Sequence, residues 1–163
     1  AIMMMLLFKV DDARYSLRVA DVVELVPYVS LQNLPKAPDY IAGLMNYRGN
    51  IVPVVDLSIL ICERPVKRLM SSRIILIRPV KEEKRYIGLL AEKVTEALKI
   101  DEATVTDTGV SADTSAFIDK IAMDGAGMIQ VVNVSKLMPD DVKIMLQEKI
   151  ASNASVDGEP DGI

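Results

Sequence analysis

Apolar and polar positions change period along this chain. Residues 6–10, Leu-Leu-Phe-Lys-Val, predict a strand, Asp11-Asp12-Ala13 predict a turn, and Tyr15, Leu17 and Val19 then alternate with Arg14, Ser16 and Arg18. Period two is the mark of a half-buried strand, so the opening reads as a hairpin. Residues 22–26 continue extended, with Val22, Glu24 and Val26 on one face, and Pro35 and Pro38 punctuate a loop leading into a short helix expected over 39–42. The stretch GLMNYRGNIVPVVDL at 43–57 is nearly continuous in its apolar character, but it carries Asn46, Tyr47 and Arg48 ahead of a turn-like pair, Gly49-Asn50. One helical turn is expected over 57–61.

Further strands are expected over 73–77, 86–90, 94–98, 117–122 and 128–132, with turn-rich segments such as 81–84 between them. Asp140-Asp141 can cap a C-terminal helix bearing Val142, Met145, Leu146 and Ile150 on its apolar side. The polar residues SNASVDGEPDGI at 152–163 read as a flexible tail, leaving 1–151 as the folded domain. Many short strands without long helices between them make the fold class mainly β, a barrel or sandwich.

An internal repeat refines this. Arg14-Tyr15, Ala20-Asp21 and Val23 recur as Arg85-Tyr86, Ala91-Glu92 and Val94, and Val54-Val55-Asp56-Leu57-Ser58 is echoed by Val131-Val132-Asn133-Val134-Ser135. The order is kept and the matches fall on expected strands, which predicts two similar β-barrel lobes, about 6–62 and 71–138, packed together. Opposite Asn46-Tyr47-Arg48-Gly49 the second copy reads Ala122-Met123-Asp124-Gly125. If Arg48 were needed to build a lobe, its twin should want one too, so the arginine points to function.

Composition narrows the chemistry. The 163 residues include no His, no Trp and one cysteine, and 19 basic residues stand against 23 acidic ones, for a net charge of −4. An acidic chain short of aromatics is a poor partner for nucleic acid or anionic lipid. Without His there is no Ser-His or Cys-His pair, no His metal site and no phosphohistidine. The lone Cys62 excludes an intramolecular disulfide and suits a reducing cytoplasm. The opening AIMMMLLF is too short to span a bilayer and lacks the flanks of a signal peptide, so it is expected to lead into the first strand.

The remaining candidates are few. Asp11-Asp12, Asp56 and Lys81 mimic the residue types of a phosphoryl-accepting receiver domain, but period-two alternation over 13–26 contradicts the long helices such a domain needs. Asp11-Asp12 is read as turn chemistry. Asp56 is read as a helix cap, and Gly125-Ala126-Gly127 as a turn. An arginine in an apolar segment requires an acceptor, because an unpaired buried charge costs several kcal/mol, an order-of-magnitude value. Glu24 is the expected partner of Arg48 and Asp56 the second choice, with the pair at the mouth of a groove between the lobes. An enzyme or small-molecule binder using Glu24, Arg48 and Asp56 in that groove is the alternative to an interaction module.

The Asn-x-Arg-Gly turn at Asn46-Tyr47-Arg48-Gly49, followed by Ile51-Val52-Pro53-Val54-Val55-Asp56-Leu57, resembles the hallmark of the CheW family of bacterial chemotaxis coupling proteins. Supporting matches are LLFKVDDARYSL, VADVVEL, RYIGLLAEKVTEAL and MIQVVNVSKLM, which together cover residues 6–138. The resemblance implies two SH3-like five-stranded β-barrels around a shared apolar core, with no catalytic residues, cofactor or metal. It implies a cytoplasmic adaptor joining the cytoplasmic tip of a chemoreceptor to the regulatory domain of a CheA-type histidine kinase, without insertion in the membrane. Val22, Glu24, Asn46, Tyr47, Arg48 and Gly49 are then the expected partner-binding residues. The chain departs from the family pattern at Tyr47, where an apolar residue is usual, and at Ala91-Glu92, where Val-Asp is usual.

Overall fold

The most apolar segments of the chain lie in two hairpins, and the computed structural model shows why alternation fails there. It describes residues 1–64, 72–78, 85–107 and 117–137, together with Glu148. The elements in order are β1 (Ile2–Val10), β2 (Ala13–Arg18), β3 (Val22–Pro27), β4 (Ile41–Tyr47), β5 (Asn50–Asp56) and α1 (Leu57–Cys62). There follow β6 (Arg73–Ile77), β7 (Ile87–Ala91), β8 (Glu96–Asp101), β9 (Thr106–Asp107), β10 (Ile118–Asp124) and β11 (Gly127–Val132). They form a six-stranded sheet in the order β8-β1-β2-β11-β10-β9 and a five-stranded sheet in the order β3-β6-β7-β5-β4.

Each sheet is covered on both faces. Leu6, Phe8, Val10 and Leu17 of the first sheet meet Val55, Ile75, Ile77 and Leu89 of the second in one shared core. The opposite faces enclose smaller clusters, Met5, Leu7, Ile129 and Val131 in the first sheet and Met45, Val52, Val54, Ile74 and Leu76 in the second. Strands buried on both faces read as continuous apolar runs. Ile74, Ile75, Leu76 and Ile77 are all fully buried, alternating between the two clusters. Each such side chain contributes roughly 1.5–3 kcal/mol.

Four ladders cross between the two halves of the sequence, and they reveal how the repeat is used. The β1-β2 hairpin pairs with β8 and β11, while the β6-β7 hairpin pairs with β3 and β5. Each sheet therefore takes one hairpin from one repeat and its remaining strands, a second hairpin among them, from the other, so the segments 6–62 and 71–138 are divided between the sheets. The registers also correct the alignment read from the sequence. Ser16 opposite Val131 occupies the place of Gly88 opposite Val54, so Arg14 matches Tyr86 rather than Arg85. The closing pairs Tyr47–Asn50 and Asp124–Gly127 match Tyr47 with Asp124, Arg48 with Gly125 and Gly49 with Ala126. The second turn thus has no arginine at the matching place, and its glycine falls one residue earlier.

The echo at the strand ends has a physical basis. Asp56 caps α1, accepting from Ser58 N at 2.9 Å and Ile59 N at 3.1 Å, and Asn133 accepts from Ser135 N at 3.1 Å to open a single 3-10 turn over Val134–Lys136. The helix expected over 39–42 is absent. Ile41 N bonds Pro38 carbonyl across a turn at 3.0 Å, and Tyr40 carbonyl accepts from Asp56 N at 2.7 Å, which commits the segment to β4. The seam between the sheets is tied by Arg64, which reaches Asp11 in the β1-β2 turn at 2.8 Å and the buried Glu92 just after β7 at 3.3 Å. The expected turn over 81–84 and the tail over 152–163 lie outside the described residues, as does the C-terminal helix apart from Glu148.

Gly43 fixes how the loop before β4 folds back. Its φ is +151°, and Gln32 exchanges backbone bonds with Leu44 at 2.8 and 2.7 Å. A Cβ at Gly43 would stand 2.7 Å from the Gln32 carbonyl oxygen. Gly43→Ala is expected to lower stability by about 1–3 kcal/mol, measured by urea unfolding, and an unchanged midpoint would show that this loop is not held as described.

Candidate functional site

The β4-β5 hairpin closes on Tyr47 and Asn50, which makes Arg48-Gly49 its loop, one residue earlier than the pair Gly49-Asn50 expected from the sequence. Both loop residues have positive φ, 51° and 86°, the mark of the type I′ turn whose twist suits a hairpin. Glycine adopts this freely, whereas an L-residue there costs roughly 1–2 kcal/mol. Asn46 Oδ1 accepts from Gly49 N at 2.9 Å, and Asn50 Nδ2 donates to the Tyr47 carbonyl at 3.3 Å. Asn46, Gly49 and Asn50 thus build the turn, and Arg48, with 74% of its side chain exposed, is what the turn displays.

Glu24 lies on β3 and Tyr47 on β4, the two opposite edges of the five-stranded sheet. Yet the Tyr47 hydroxyl donates to Glu24 Oε1 at 2.5 Å, and Arg48 Nη2 reaches the same oxygen at 3.3 Å. The sheet is therefore curled until its edges meet, as in a barrel. The expected Arg48–Glu24 pair is present, and it joins the two edges of one sheet. Hydrogen bonding to Glu24, then burial, holds the Tyr47 phenol above its usual range. A shared carboxylate oxygen, a phenol and a guanidinium form a polar clasp over an apolar interior.

Tyr47, one of the residues expected to meet a partner, is largely buried and gives its hydroxyl to Glu24. Tyr86, read from the sequence only as a repeat and strand position, meets it edge-to-face at 5.6 Å, and the Arg48 guanidinium carbon stands 5.2 Å over the Tyr47 ring. Val22 is half-buried against the shared core, and a bulge separates it from Glu24 in the ladder to β6. Asp56 is buried and caps α1, so it does not join the clasp. Val23 and Leu25 point outward from the same edge strand and are exposed.

The matching end of the other sheet is built from different chemistry. Where Tyr47 touches Tyr86, the register places Asp124 and Arg14, and these form a bidentate ion pair at 2.6 and 2.9 Å. A cleft of about 350 Å³ opens beside them, lined by Leu7, Lys9, Arg14, Thr95, Leu98 and Asp124 among others. Neither Glu24, Arg48 nor Asp56 lines it, so the groove imagined for those three is not this one. Among the described residues no group of three or more His, Cys, Asp or Glu could hold a metal ion. No helix among them is long and apolar enough to cross a membrane.

The family described as CheW-like domain matches residues 4–142. The chemotaxis protein CheW of Rhizobium meliloti is 25% identical over 137 residues, covering 82% of this chain and 86% of that one. The CheW of Klebsiella aerogenes is 23% identical over 150 residues, 91% of this chain and 88% of its own. The crystal structure of the scaffolding protein TtCheW from Thermoanaerobacter tengcongensis is similar with a TM-score of 0.75 and 28% identity, covering 85% of this chain and 89% of that chain.

Two expectations follow from the clasp and its counterpart. Tyr47→Phe should cost about 1 kcal/mol, the worth of one hydrogen bond. Tyr47→Ala should cost about 3–5 kcal/mol as a large buried ring is lost. Arg48→Ala should change stability by no more than about 1 kcal/mol, because its ion pair is exposed. Chemical denaturation ranks the three, and Arg48→Ala matching Tyr47→Ala would overturn the division of labour. The second concerns acid. Asp124 is held down to about 2 from 3.8 by its hydrogen bond from Arg14. A depressed carboxylate stabilises the fold above its unfolded value, and that contribution is lost as pH falls through the folded one. Between about pH 4 and pH 2 the wild-type Tm should therefore fall faster than that of Asp124→Asn, the two curves converging at the acid end; parallel curves would contradict it.

Proposed function

The chain belongs to the CheW-like family, and from that premise we propose that it is a non-catalytic chemotaxis adaptor coupling the cytoplasmic tip of a methyl-accepting chemoreceptor to the regulatory domain of a CheA-type histidine kinase. The observation that carries the reading is the match over residues 4–142, which takes in both sheets and the hairpin displaying Arg48. Relatives described as chemotaxis protein CheW and as a scaffolding protein support the same reading. A chain without histidine, built to hold two partners, lowers the cost of assembly by raising the effective concentration of each at the other.

Arg48 is the residue of the clasp best suited to meet a partner. Its left-handed backbone is unfavourable for an L-residue, its stability contribution is small, and it leaves most of its donors in solvent. Glu24 and Tyr47 fix where the guanidinium stands, and Asn46 and Gly49 fix the turn that carries it. The exposed Val23 and Leu25 on the neighbouring strand provide apolar area beside this charge.

Arg48→Glu should leave the melting temperature nearly unchanged while weakening binding to receptor or kinase fragments by roughly 2 kcal/mol or more. Calorimetric titration with each fragment separates the partners. Normal affinity for both in the folded variant would remove Arg48 from the coupling surface.

A further inference from the structure

Apart from hairpins and the short β9–β10 pairing, every ladder in the two sheets joins one repeat to the other. The first repeat alone, β1 to α1, holds two separate hairpins and the single strand β3. The second, β6 to the 3-10 turn after β11, holds two hairpins, β8 and β9. Isolated hairpins are marginal in water, and neither set can cover both faces of its own apolar strands. Leu17 and Leu89, which hold matching places in the two copies, are fully buried in a core that neither repeat can complete.

We propose that a second copy of this chain is a binding partner through exchange of halves, the first repeat of one copy completing its sheets with the second repeat of the other. Each of the four crossing ladders, β1–β8, β2–β11, β3–β6 and β5–β7, re-forms between chains with the registers it has within one chain. The contact of Arg64 with Glu92 likewise becomes one between chains. No new surface is required, because the interface is the interior already described. The two repeats are joined by a single covalent connection, so the balance between one chain and two is set by effective concentration within the chain against concentration in solution. This inference does not rest on the receptor or kinase assignment.

The test uses full-length chains carrying one buried charge each. Leu17→Asp disables a first repeat and Leu89→Asp a second. Refolded separately, each should give no native circular dichroism or dispersed amide spectrum. Refolded together at high concentration, they should recover native signal in up to about half of the sites, in a species with the mass of a dimer by light scattering. That species contains one site with both repeats intact. A mixture no more native than the two variants measured singly would overturn the proposal. The wild-type chain provides a second measure independent of those variants. When it is refolded from denaturant at micromolar to millimolar concentration, the dimer fraction should rise with concentration and persist on dilution. A monomer at every concentration would overturn the proposal as well.

Discussion

Burial on both faces of the central hairpins is the constraint on which the rest of this structure depends. Leu6, Phe8 and Leu17 face one core while Met5 and Leu7 face another, and Ile74 to Ile77 divide themselves in the same way. A strand that is apolar on both sides needs cover on both sides. One face is covered by the other sheet and the opposite face by the curl of its own. Curling brings the edges β3 and β4 together, and the polar clasp of Glu24, Tyr47 and Arg48 sits where they meet. The candidate site is thus a by-product of closing a small barrel, with one residue, Arg48, turned outward from it.

The two barrel ends show how a repeat diverges without losing its frame. An edge-to-face contact of Tyr47 with Tyr86 in one sheet is an Arg14–Asp124 ion pair in the other. Both pairs tie the hairpin turn to the neighbouring exchanged strand. The aromatic pair contributes through buried area and supports an exposed cation above it. The ion pair is part-buried, leaves an open cleft beside it and depends on the ionisation of a carboxylate.

Much of this was legible in the sequence, for reasons that can be named. Alternation from Arg14 to Val19 and the glycine-bearing turns revealed short strands, and the charge of Arg48 in an apolar segment singled it out and led to Glu24. The offset of the repeat was read one residue short because Arg14-Tyr15 and Arg85-Tyr86 look alike, whereas backbone pairing places Ser16 with Gly88. A ladder's register depends on which strands pair, and residue identities alone carry little of that. The exchange of hairpins was hidden for the same reason. The helix expected after Pro38 gave way to tertiary pairing, since Tyr40 and Asp56 are brought together only once β4 and β5 have formed. Burial of Tyr47 was missed because an arginine and an asparagine flank it, and only the hairpin's alternation turns it inward.

The parallel pairing of Tyr15 with Gln130 also has a meaning for the order of events during synthesis. The first hairpin leaves the ribosome with both faces apolar, yet its partner strand β11 emerges more than a hundred residues later, after β3, β4 and β5, which belong to the other sheet. Long-range pairing of this kind is slow to form and leaves sticky surface waiting. The nascent chain therefore passes through a stage in which the five-stranded sheet has all its strands while the six-stranded sheet cannot yet be completed. In that interval the β2 side of the first hairpin has no strand beside it, and the residues of β11 are the ones that supply it.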